Sequence, residues 1–250
     1  MKFLIITILL IAESFFAQSK DPDEILNEVV TNFNRVKDYQ VDVNIKVDVE
    51  FLKVPESNAK IFFKQPDKVH VESEGFALLP KEGLDFSPSS LLKKNYTAIY
   101  EQDVMLDGVK TSIVKIIPIG DQGNVILSTL WIDQKKQVIR KVESTTKTNG
   151  TFSINFFYDD ILKYPLPSKI IFSFNIDQMN IPDAFGENSD NEQPKKKGRK
   201  INSLTKGKVI ITYSNYQVNK GIPDSIFENK DVKKNNWFKK IDFNFRALIP

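Results

Sequence analysis

Acid–base and nucleophilic chemistry need particular side chains, and few of them occur here. The chain has no cysteine, and His70 is its one histidine. Thiol catalysis and histidine-rich metal centres are thereby excluded, because their essential residues are missing. His70 stands between Val69 and Val71, which on an extended segment points it away from the apolar side. A lone histidine has no partner for acid–base work, so it reads as an ordinary surface residue. Asp159 and Asp160 are the nearest approach to paired carboxylates. Neighbours at a strand end point opposite ways and do not converge on one proton or metal. No catalytic set, metal site or cofactor motif emerges, and the expectation is a protein that is not an enzyme.

Charge narrows the partners. The 35 basic and 32 acidic residues leave a net charge of +3, too small for a nucleic-acid-binding face. The run "PKKKGRK" at 194–200 has the composition to approach anionic lipid headgroups. Glu187, Asp190 and Glu192 lie just before it and blunt that charge, so a solvated loop over 183–205 is expected.

What remains is pattern. In "YQVDVNIKVDVEF", residues 39–51, every second residue is apolar: Tyr39, Val41, Val43, Ile45, Val47, Val49 and Phe51. Strand side chains alternate between faces, so this is a long strand with one greasy side. Strands are expected over 39–53, 58–65, 67–74, 96–106, 109–118, 124–133, 137–147, 151–158, 168–178 and 206–218. The strand at 151–158 repeats the pattern with Phe152, Ile154 and Phe156, and that at 168–178 with Ile170, Phe172 and Phe174. Asp107-Gly108 and Asn149-Gly150 are hairpin turn pairs between them. Short connections imply an antiparallel meander. A single sheet of about ten strands cannot stay flat, because twist accumulates across it.

Two kinds of segment can cover the greasy side. Asp21-Pro22-Asp23-Glu24 is a helix start, and Ile25, Leu26, Val29, Val30, Phe33 and Val36 follow at helical spacing to about Lys37. The stretch "PSSLLKK" at 88–94, with Leu91 and Leu92, has the look of a short helix. The fold class is therefore mainly β with a few helices (α+β): a strongly curved, incomplete antiparallel barrel with a helical lid over a hydrophobic cavity. A filled core needs the same alternation, so pattern alone does not separate cavity from core. The opening "MKFLIITILLIAESFFAQS" has a basic start and an apolar run that Glu13 interrupts, short of the ~20 residues of a membrane span. It reads as a secretory signal peptide over 1–17, cleaved near Ala17, before a single domain at 20–250.

The order of pieces has a likeness. "ILNEVVTNFNRVKDYQVDVNIKV" and "AKIFFKQPDKVHVESEGFALLPK" give a helix, a long alternating strand, a strand ending at a Pro corner, and a strand with alternating valines. "TLWIDQKKQVIRKVES", "PLPSKIIFSF" and "GIPDSIF" follow. This resembles the periplasmic outer-membrane lipoprotein carriers, the LolA-like family, over most of the chain. The resemblance implies a chaperone of the Gram-negative periplasm. Such a protein binds acyl chains of lipid-modified proteins and carries them toward the outer membrane as a monomer, without a cofactor. Its implied partners are an inner-membrane lipoprotein-releasing transporter and an outer-membrane acceptor. The expected cavity lining is Val41, Val43, Ile45, Val47, Trp131, Phe152, Ile154, Phe156, Ile170, Phe172 and Phe174, with Leu91 and Leu92 in the lid. The family often has an arginine just before the proline of the strand corner, helping to hold the lid shut. Here Gln65 precedes Pro66, so that lock is absent or rebuilt by Lys64 or Lys68. Alternatives on the same half-barrel are a lipid-sensing regulatory protein and a lipid- or glycolipid-binding protein without a handover role.

Overall fold

The structure is a computed structural model that describes residues 20–49, 55–73, 88, 92, 95–120, 125–147, 150–175 and 206–228. The expected signal segment at 1–17, the expected loop at 183–205, Leu91 and the chain after 228 lie outside the described residues. A helix α1 (Pro22–Phe33) comes first. Three strands follow, β1 (Asp38–Val49), β2 (Ser57–Lys64) and β3 (Lys68–Ser73). Then come β4 (Tyr96–Leu106), β5 (Val109–Pro118), β6 (Val125–Asp133), β7 (Val138–Thr146), β8 (Thr151–Phe157), β9 (Lys169–Asn175) and β10 (Lys206–Val218). A short helix α2 (Ser225–Glu228) closes the described chain.

All ten strands join one sheet in the order β3-β2-β1-β10-β9-β8-β7-β6-β5-β4. The pairing is antiparallel, and all neighbours but β1 and β10 are consecutive in sequence. The sheet is not closed, since β3 and β4 stand at opposite edges although they follow one another along the chain. Asp107 and Gly108 both have positive φ, 48° and 79°, as a tight hairpin between β4 and β5 requires.

Helix α1 starts as its sequence dictates: the Asp21 carboxylate accepts the Asp23 N–H at 2.9 Å, with Pro22 in the first position. Its end falls at Phe33 and not near Lys37. Asn219, after β10, supplies the reason. Its side-chain oxygen accepts the Lys37 N–H at 2.7 Å and its amide donates to the Arg35 carbonyl at 2.9 Å. Those bonds reward a turn at 34–37 over another turn of helix. Val36 stays fully buried in that turn. The apolar side of α1, Leu26, Val29 and Phe33, packs into one cluster with the inner face of the sheet. Asn32 anchors the helix end by donating to the Lys136 carbonyl, 2.9 Å, in the β6–β7 turn.

Candidate functional site: the apolar inner face of the sheet

Directly opposed residues on antiparallel strands share a face. Register therefore traces rows across the sheet. One row runs Val114, Leu130, Val142, Ile154, Phe172, Val209, Val47, crossing seven strands with no polar residue. A parallel row runs Phe156, Ile170, Ile211, Ile45. Phe152 and Phe172 have ring centroids 5.3 Å apart, and Phe172 and Phe174 5.2 Å apart.

Of the eleven expected lining residues, Val41, Val43, Ile45, Phe152, Ile154, Phe156, Ile170 and Phe172 are buried in this cluster. Phe174 packs against it half-buried. Val47 is half-buried opposite Val209. Trp131 needs correction. It lies between Leu130 and Ile132, both in the cluster, and its ring faces the other way, with the Lys141 ammonium 4.3 Å from its centroid. Three consecutive large apolar residues hide the alternation, and the largest of them is the outward one.

Over the inner face, Leu92 packs against the cluster; Pro88, four residues earlier, is buried as well. Both belong to the link from β3 to β4, whose ends are the two edges of the sheet. At the strand corner the Gln65–Pro66 peptide is cis. Gln65 donates from its side chain to the Val36 carbonyl at 2.6 Å and from its backbone to the Lys37 carbonyl at 2.9 Å. It holds the α1–β1 turn, a different task from clasping a lid. Lys64 and Lys68 both reach one oxygen of Asp224 at 2.9 Å, tying the segment of α2 to the β2–β3 hairpin. Hydrogen bonds from Lys68 and Lys64 pull the Asp224 carboxyl down to about 2.

Several titratable groups outside the apolar face are held in structural bonds. Asp103 on β4 accepts from Lys20 at 2.8 Å, Tyr100 at 3.0 Å and Ser112 at 2.9 Å. Burial disfavours its charge, but the hydrogen bonds, led by that of Lys20, win and keep the carboxyl below the usual range. This carboxylate fastens the segment before α1 to β4. His70 faces outward as expected, yet its side chain is only 16% exposed, beside Phe62 and 3.6 Å from Glu72. Asp160 pairs with Lys136, and Asp159 caps the Ile161 N–H. Among the described residues no group of carboxylates and histidine could hold a metal ion.

No family profile matches the sequence, and no curated protein does either. Solved structures do match. A LolA superfamily protein from Nitrosomonas europaea aligns with TM-score 0.54 at 13% identity, over 84% of this chain and 98% of that one. A DUF1329 family protein from Desulfovibrio piger aligns with TM-score 0.55 at 11% identity, over 84% and 98%. A domain described as an outer-membrane lipoprotein-sorting protein, from Vibrio parahaemolyticus, aligns with TM-score 0.51 at 12% identity, over 85% and 99%. The architecture is thus an open antiparallel sheet with few helices, the LolA-like fold.

Proposed function

We propose that this chain is an exported lipid-binding carrier that takes acyl chains of lipid-modified proteins against the inner face of its sheet. The observation that carries the reading is the apolar row from Val114 to Val47, unbroken across seven strands. Each methylene exposed to water costs about 0.8 kcal/mol, so a 16-carbon chain costs about 12 kcal/mol to move bare through an aqueous compartment. A protein that takes the chain onto such a face removes that barrier with no covalent step. In this reading Leu92 belongs to the lid, and entry needs it to leave the cluster. The compartment is the Gram-negative periplasm, and the partners are a releasing transporter and an outer-membrane acceptor. The fold shared with a lipoprotein-sorting domain supports this assignment.

Native mass spectrometry of the protein from its own cell envelope is the test. Exchangeable lipidated proteins in the complex are expected. A tightly held stoichiometric lipid with no protein cargo would replace the carrier with a lipid-sensing or lipid-binding role. Protein free of any acyl ligand would remove the reading.

A further inference from the structure

A polar break interrupts the inner face. Ser128 on β6 and Ser144 on β7 stand directly opposite one another, each 1% exposed, with their oxygens 2.7 Å apart. Their neighbours in the row, Ile116 on one side and Phe152 on the other, belong to the apolar cluster, so the hydroxyls share its face. Two hydroxyls carry two protons, and the bond between them uses one. Among the described residues neither makes any other hydrogen bond. A buried donor left over is costly, and two alanines here would avoid it at no loss of pairing.

The surroundings of the pair along the face are hydrocarbon. Ala98 lies beyond Ile116 in the same row. On the other side Phe174 lies over Gly207, where a Cβ would come within 2.5 Å of its ring. The run Phe152, Phe172 and Phe174 therefore begins beside the hydroxyl pair and leads away along the face. Helix α1 docks at the β6–β7 turn, six residues along β7 from Ser144, or about 20 Å. The pair lies toward the end away from that anchor.

We infer that Ser128 and Ser144 are the seat for a carbonyl oxygen of the bound acyl group, an inference that rests on the acyl-binding reading above. The spare hydroxyl proton is donated to the ester or amide oxygen, and the hydrocarbon beyond it lies along the neighbouring apolar row. The ligand class is a neutral acyl ester or amide. A free fatty-acid carboxylate fits poorly, because no cation faces the pair from its row and a buried charge needs one.

The test displaces a naphthylamine dye from the full chain with dipalmitoylglycerol, whose chains carry ester carbonyls, and with its ether analogue dihexadecylglycerol, which has none. Wild-type protein is expected to prefer the ester about three- to tenfold, the scale of one net hydrogen bond. The S128A/S144A variant should bind both alike, having lost the ester preference. Equal binding of the two lipids by wild-type protein, or a preference that survives in the variant, overturns the seat. Should the variant not fold, the wild-type preference decides alone. If neither lipid displaces the dye, the acyl-binding reading fails first and this inference with it.

Discussion

Arg140 closes on Asp133 across the β6–β7 turn, with its Nη2 2.7 Å and Nε 3.0 Å from the same carboxylate oxygen. The other oxygen accepts the N–H groups of Lys135 and Lys136, at 2.9 and 2.8 Å. Asp133 is 2% exposed, so one buried carboxylate shapes the turn whose carbonyls hold the end of α1. The Arg140 guanidinium also lies 5.5 Å from the Tyr158 ring centroid, and Tyr158 donates to the Ile139 carbonyl. Helix, turn and the end of β8 are secured through this pair.

Asp133→Ala should therefore cost about 3–5 kcal/mol, the usual loss when one partner of a buried ion pair is removed. Lys136→Ala, which removes a surface pair with the exposed Asp160, should cost far less, because solvent screens that pair. Urea unfolding of the two variants compares them directly. Equal losses would show that burial does not set the strength of these pairs.

The Lys64–Asp224–Lys68 contact makes a pH prediction. The folded carboxyl is depressed from 3.8 to about 2, so the contribution is present above pH 3.8 and fades as pH falls toward 2. The Tm difference between wild type and Asp224→Asn should be constant from neutral pH to about 4, then shrink below it. A difference that disappears between pH 7 and 5 would mean that another group controls the contact.

Much of this architecture is legible in alternation. All ten strands fall where period-two patterning puts them, because each side chain on the inner face is chosen by burial. What alternation cannot carry is partnership between distant segments. The end of α1 depends on Asn219, 182 positions away from Lys37, and no local signal near Phe33 announces it. The insertion of β10 between β1 and β9 is a long-range choice of the same kind. Trp131 departs from its expected side for a different reason: "LWI" offers three apolar residues in a row, and only the register against Lys141 separates the faces. Ser128 and Ser144 carry no signal of their own, because serine at an inner position looks like an outer one until its partners are known.

The position of Trp131 can be read in solution. Trp131 and Trp237 are the chain's two tryptophans, so Trp237→Phe leaves Trp131 as sole emitter. Loading with dipalmitoylglycerol should leave its emission maximum unchanged, because the ring lies over Lys141 on the outer face. A blue shift on loading would return Trp131 to the ligand side.

Gly207 gives the sharpest handle on the space along the inner face. Its missing side chain lets the Phe174 ring lie close to β10, and a methyl there would sit 2.5 Å from Cε2 of that ring and 3.2 Å from Val49. The ring end can swing, but it packs at a tilt against Phe172, so moving it disturbs the aromatic run as well. Overpacking of this kind costs about 1–3 kcal/mol. Gly207→Ala should lower stability within that range and weaken acyl binding by displacing Phe174 into the apolar face. Combining it with Phe174→Leu, which shortens the obstructing side chain, should restore much of both. If Gly207→Ala folds normally and binds acyl lipid as the wild type does, the ligand does not pass along the Phe152–Phe172–Phe174 run.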